Sequence, residues 1–112
     1  MGHVRSIATY PLKDEPGIFH EVVEVEPEGL AGDRRKKRPV HVVGAEITPE
    51  HTRANFFLTL PESEVQALVG SRVLLGDSVL DITELPKACP GVYAEVAQTG
   101  SVAVDADLRL LE

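Results

Sequence analysis

The apolar residues of this chain come in short runs, each closed off within a few positions by Gly, Pro or Asp. Residues 3–10 stop at Pro11, residues 19–26 stop at Pro27, and residues 71–75 and 79–83 flank the turn Gly76-Asp77-Ser78. Brief runs rich in β-branched residues, with turn residues at close intervals, are the texture of an all-β sandwich or barrel. The expected fold is therefore mainly β, a small closed β-barrel, with helix as the minority element. A length of 112 residues allows one domain, 1–112, and excludes a two-domain enzyme.

Within residues 19–26, Val23 and Val25 fall on one face and Glu24 and Glu26 on the other, the period of two that marks a half-buried strand. Residues 40–47 are too β-branched for a helix. Residues 55–60 form another apolar strand, holding two of the three Phe. The one helix expected spans residues 61–69. Pro61 suits the first turn, Glu62 and Glu64 complement the N-terminal dipole, Val65, Leu68 and Val69 make an apolar stripe, and Gly70 ends it. Two units then follow, residues 71–83 and residues 92–111. Aligning Gly70-Ser71 with Gly100-Ser101 also aligns Asp77 with Asp107 and Leu80 with Leu110, which reads as two similar strand-turn-strand edges.

Charge narrows the function classes. Eighteen acidic residues against 11 basic give −7, so no global positive field is available to hold nucleic acid, and a polyanion site has to be local. Five consecutive bases, Arg34, Arg35, Lys36, Lys37 and Arg38, form such a place. Arginine forks match phosphate oxygens, and the preceding Gly29-Leu30-Ala31-Gly32-Asp33 turn offers backbone N–H groups to an anion. The alternative is a solvated loop, or one held by residues 14–28, which carry six acids and no base. No apolar run approaches the ~20 residues that span a bilayer, and residues 1–9 lack a signal-peptide layout, so a cytoplasmic protein without membrane contact is expected.

Cys89 is the single cysteine, which excludes an internal disulfide. It lies in a Pro- and Gly-flanked loop, where binding residues are often mounted, and Lys87 two positions away is a cation able to activate a thiol. An inert, buried cysteine is the competing reading. The four histidines are scattered, and His41, inside an apolar strand, reads as a wall residue. A Cys89–His41 hydrolase pair is a third, more distant option.

Taken in order, several segments resemble the MOSC domain, named from the C-terminal domain of molybdenum-cofactor sulfurase. They are Gly29-Leu30-Ala31-Gly32-Asp33-Arg34, Arg38-Pro39-Val40-His41-Val42-Val43, Asn55, Val69-Gly70-Ser71-Arg72-Val73-Leu74-Leu75-Gly76-Asp77, Pro86-Lys87-Ala88-Cys89 and Gly91-Val92-Tyr93-Ala94-Glu95-Val96. The resemblance runs from about His20 to Leu111. It implies a MOSC-type barrel, binding of the molybdenum cofactor (molybdopterin), and a Cys89 that carries sulfur as a persulfide or ligates molybdenum. It also implies an association with pyridoxal phosphate binding, and a cysteine desulfurase or molybdoenzyme as partner. Arg34, Arg35 and Arg38 are then the expected phosphate ligands, with Asn55 and Lys87 beside the cofactor.

The chain departs from the family pattern at three places. The segment between the Gly-Asp-Arg turn and the next strand is cut to the basic run, the family's Glu-Asn pair is Ala54-Asn55, and only Pro90 separates Cys89 from Gly91. A second expectation is therefore a non-enzymatic barrel that grips an anion or acidic partner through its basic loop after losing the cofactor pocket. Exposed strand edges in a short barrel also leave room for a homodimer.

Overall fold

The computed structural model describes residues 1–111. The last position of the expected domain, 112, lies outside the described residues. Eleven strands and one short helix are assigned: β1 Val4–Thr9, β2 Ile18–His20, β3 Val22–Glu26, β4 Gly29–Leu30, β5 Val40–Val43, β6 Phe56–Leu58, α1 Glu62–Gln66, β7 Arg72–Leu75, β8 Ser78–Glu84, β9 Val92–Gln98, β10 Gly100–Ala103 and β11 Leu108–Leu111.

The strands form two sheets. Eight lie in the order β11-β7-β8-β9-β5-β6-β1-β2, and three in the order β10-β3-β4. The larger sheet curls into a half-barrel, and this corrects the closed barrel expected above. Its terminal strands β11 and β2 do not pair with each other. The chain start covers part of the opening instead: Val4 N donates to Ala106 O (2.9 Å), Asp105 N to Val4 O (2.8 Å) and Leu108 N to Gly2 O (3.0 Å). The small sheet supplies the rest of the cover. Val23, Val25, Leu30 and Val102 from it pack into one core with Val4, Ile7, Phe56, Leu75, Leu80 and Ile82 of the large sheet.

Three local readings change for physical reasons. Residues 19–26 are two strands, because the chain changes sheets at Glu21, whose carbonyl accepts Val104 N at 2.8 Å. The Val23/Val25 alternation survives, with both residues buried and Glu24 and Glu26 exposed. The helix is shorter than 61–69. Residues 67–70 are turns, and Gly70 has a positive φ of 90°. It docks through Val65 and Leu68 on the main core, as a helix too short to stand alone must.

The second strand-turn-strand edge does not exist as a hairpin. β10 pairs with β3, and β11 pairs with β7, which also pairs with β8. The two echoing segments meet each other instead, Asp77 N donating to Ser101 O at 2.9 Å.

β5 and β6 are the one parallel pair among the described strands, and every residue of both is buried. Phe56 points into the main core. Phe57 points the other way, into a small second cluster with Ala8, Tyr10, Val43 and Ala54. That second cluster backs the site described next.

Candidate functional site

β5 lies between β6 and β9, with His41 opposite Tyr93 and Val42 opposite Val92. Three irregular segments gather along β5: the basic run before it, residues 44–55 that cross from it to β6, and the Cys89 loop that leads into β9. Between them is an open cleft of about 620 Å³, lined by Lys36, Lys37, Arg38, His41, Cys89 and Tyr93 together with residues 49–53 of the crossover. Cys89 is exposed, so the inert-packing alternative is set aside.

Four cations, Lys36, Lys37, Arg38 and Arg53, face a single carboxylate, Glu50, in this cleft. In a chain of net charge −7 it is a local reversal of sign, the kind of field that concentrates anions. The four are not equivalent. Lys36 is compensated: its Nζ lies 3.0 Å from Asp33 Oδ2 and 3.2 Å from Asn55 Oδ1. Arg38 is paired with the Glu84 carboxylate by a two-pronged contact, Nε at 2.6 Å and the second prong at 3.3 Å. That contact, more than any other influence, holds the Glu84 carboxyl below its ordinary value. The Arg38 guanidinium also stands 6.0 Å from the centre of the Tyr93 ring.

Arg53 and Lys37 have no carboxylate partner among the described residues. Arg53 donates to the carbonyls of Glu15 (2.8 Å) and Leu12 (3.2 Å) and stacks over the Tyr10 ring at 4.4 Å, contacts that fix its position and leave its charge unneutralised. These two cations are the ones most available to an anion.

Behind the cleft wall is a saturated polar network. Asp33, with only 3% of its side chain exposed, accepts Tyr10 N (2.7 Å), Asn55 Nδ2 (3.1 Å) and Lys36 Nζ. Asn55 is fully buried, and its amide makes four contacts: Oδ1 accepts His41 N (3.0 Å) and Lys36 Nζ, and Nδ2 donates to Ala8 O (3.2 Å) and Asp33. A side-chain amide has two donors and two acceptor lone pairs, so this one is fully engaged inside the protein. Much of the Gly29–Asp33 backbone is engaged as well: residues 29 and 30 are β4, Ala31 N donates to Glu24 O (2.8 Å) and Asp33 N to Leu30 O (3.0 Å). The Ala31 and Asp33 N–H groups of that turn are thus taken up inside the protein.

Of the residues singled out in the sequence, Cys89, His41 and the last three members of the basic run, Lys36, Lys37 and Arg38, line the cleft together. Arg34 and Arg35 are exposed outside it, Arg35 paired with Glu28 at 2.6 Å, while Asn55 lies behind its wall. Lys87 is exposed on the same loop as Cys89 and does not line the cleft; its charge acts on Glu84. Residues 49–53, Arg53 above all, carried no signal in the sequence beyond being a polar loop. Among the described residues no three His, Cys, Asp or Glu are grouped to hold a metal ion.

His41 is the buried titratable group of the wall. Its Nε2 lies 2.7 Å from Pro90 O, which makes Nε2–H the donor. Burial is the main cause that pushes its pKa below the ordinary 6.5, and Lys36 adds to the fall while the Pro90 bond opposes it. The unfolded chain therefore takes up this proton more readily than the folded one. The associated stability is complete above about pH 6.5 and is lost as the pH falls through the folded value. Thermal unfolding from pH 7.5 to 5 is expected to show this loss, and His41→Phe to flatten it; an equal slope in both proteins would refute the assignment.

No protein-family model matches this sequence, nor does any curated protein. Similar solved structures do exist. YuaD from Bacillus subtilis superposes with a TM-score of 0.80 at 15% identity, covering 97% of this chain and 94% of that one. YiiM from Geobacillus stearothermophilus gives 0.73 at 17% identity, covering all of this chain and 76% of that one. YiiM from Escherichia coli gives 0.71 at 17%, with 70% of that chain covered. The chain shares the fold of these proteins over nearly its whole length.

Proposed function

We propose that the chain is a MOSC-type domain that carries sulfur on Cys89 and binds a phosphate-bearing ligand in the adjoining cationic cleft. One observation carries the reading: an exposed thiol and the two uncompensated cations, Lys37 and Arg53, line the same opening. The fold shared with YuaD and YiiM supports the resemblance noted in the sequence, and a fold hosts a site without guaranteeing it.

The molybdenum cofactor is compatible with this donor set. Its metal takes soft thiolate ligands, which Cys89 supplies, and its phosphate calls for cations such as Lys37, Arg38 and Arg53. The cleft volume of about 620 Å³ also lies within the range of small-molecule sites. When bound, the group would bring redox chemistry at molybdenum. The protein's own contribution is to bind the phosphate and present one thiolate.

As a sulfur carrier the chain needs only that thiolate. Cys89 Sγ attacks the outer sulfur of a donor persulfide; the new Sγ–S bond forms as the donor S–S bond breaks, and the donor leaves as its thiolate with the bonding pair. Sulfur moves without net oxidation, and an external oxidant is not required.

Incubation with a persulfide-loaded cysteine desulfurase, followed by intact mass measurement, tests this. The wild type is expected to gain the mass of one sulfur atom, and Cys89→Ser to gain none. No addition to the wild type, or equal addition to Cys89→Ser, would overturn the sulfur-carrier reading. In that event, phosphate-ligand binding indifferent to Cys89→Ala and abolished by neutralising Lys37 and Arg53 would mark the domain as a plain anion-binding module.

A further inference from the structure

The Cys89 loop is short and has little of its own to hold it in place. Two residues from distant parts of the sequence grip it at one peptide unit. Pro90 contributes the carbonyl of that unit and Gly91 the N–H. His41 Nε2 donates to Pro90 O at 2.7 Å, and Glu62 Oε2 accepts Gly91 N at 2.6 Å. In a trans peptide the C=O and N–H point to opposite sides, so the plane between Cys89 and β9 is pinned on both edges. Glu62 reaches further: its other oxygen accepts Gly44 N at 2.8 Å, where β5 ends, and Gln66 Nε2 donates to Glu62 Oε2 at 2.9 Å. One carboxylate of α1 thus ties the end of β5 to the start of β9.

We propose that Glu62 and His41 are positioning residues which, by gripping the Pro90–Gly91 peptide from both sides, hold Cys89 at the cationic cleft. The role expected of Glu62 from the sequence, a partner for the helix dipole, does not account for this geometry, because its carboxylate accepts from the Gly44 and Gly91 amides as well as from Gln66 of its own helix. Glu62 does not line the cleft, and His41, which does, has its Nε2–H committed to Pro90. They fix the backbone one residue beyond the thiol, and without them the glycine at 91, which tolerates several backbone conformations, lets the peptide turn over. The proposal builds on Cys89 as the working thiol of the cleft, and its readouts need neither a sulfur donor nor a cofactor, so the two readings fail separately.

Two measurements on the intact chain test it. Hydrogen exchange at the Gly91 amide reports the grip directly. The rate ratio of Cys89 alkylation by anionic iodoacetate and neutral iodoacetamide reports how close the thiol lies to the cleft cations, since a local positive field speeds only the anionic reagent.

In Glu62→Ala the Gly91 amide is expected to exchange at least about tenfold faster, and the iodoacetate preference to fall about threefold or more. His41→Phe, which keeps a ring in the wall and removes the donor, is expected to lower the same preference, and it serves as the test should Glu62→Ala not fold. Glu46→Ala is the control: Glu46 Oε1 accepts Glu62 N at 2.7 Å, so its loss loosens the start of α1 while sparing the loop. Unchanged exchange and rate ratio in Glu62→Ala, or equal changes in Glu46→Ala, would overturn the proposal.

Discussion

Asn55→Ala is expected to lower stability by about 3–5 kcal/mol, the range for breaking a buried, charge-containing network. The side chain is fully buried and holds four partners from three parts of the chain: the His41 amide of β5, the Ala8 carbonyl of β1, and the Asp33 carboxylate and Lys36 ammonium of the loop before β5. Truncation strands a backbone donor and an acceptor where water does not reach, and it leaves Asp33 to Lys36 and Tyr10 N alone. For a domain of this size the loss corresponds to a melting temperature lower by roughly 10–20 °C. A drop of only a degree or two in a thermal melt would show that the network is dispensable. Because Lys36 is held by the same amide, the variant should also redistribute charge in the cleft.

Gly91→Ala is the second large effect expected. Gly91 has φ +82°, and a Cβ built there would overlap the carbonyl oxygen of Val42 and crowd the Val43 side chain. Val42 is opposite Val92 in the β5–β9 pair, so relief would require prising apart the two strands that frame the site. Strain and overlap together are expected to cost about 3–5 kcal/mol. Gly70→Ala supplies the comparison. Gly70 has φ +90° with open space around it, so only the left-handed conformation is penalised there, at about 1–2 kcal/mol. Chemical denaturation of the two variants separates overlap from strain, and equal losses would remove the close approach of Gly91 to β5 as the cause.

What the sequence made legible was local chemistry and local periodicity. β7 and β8 fall within one residue of the runs 71–75 and 79–83 that flank the Gly76-Asp77-Ser78 turn, because nothing distant overrides those signals. The strand expected over 40–47 stops at Val43, since Gly44 turns away beside α1 and its N–H goes to Glu62, a contact made in three dimensions. The false second hairpin fails for the same reason. Residues 100–103 and 108–111 each carry a good strand pattern, but which strand they pair with is decided by the small sheet and by β7.

The site divides in the same way. The thiol and basic run stood out by composition, and the segments from both do meet in one cleft. Within the run, the members facing the cleft are 36–38, and 34 and 35 do not line it, a choice set by the anchoring of Asp33 and by the entry of the chain into β5. Arg53 was invisible, because its value depends on having charge without a carboxylate partner, and pairing is not written in a linear sequence. Asn55 stood out through the family resemblance as a residue near the pocket, and the structure places it in the wall behind.

The parallel pairing of β5 with β6 has a consequence for how the cleft can change. Two antiparallel strands can be joined by a two-residue turn, whereas parallel neighbours need a long crossing segment to bring the chain back to the same end. Residues 44–55 are that crossing, and residues 49–53 of it form one wall of the cleft. Topology thus sets a minimum length for this wall and no maximum. Insertions or substitutions at its tip would alter the depth and charge of the opening while β5, β6 and the buried aromatics beneath stay in register. The architecture separates a frame that tolerates little change from a rim that tolerates a great deal, so ligand preference can diverge rapidly on a fold that does not.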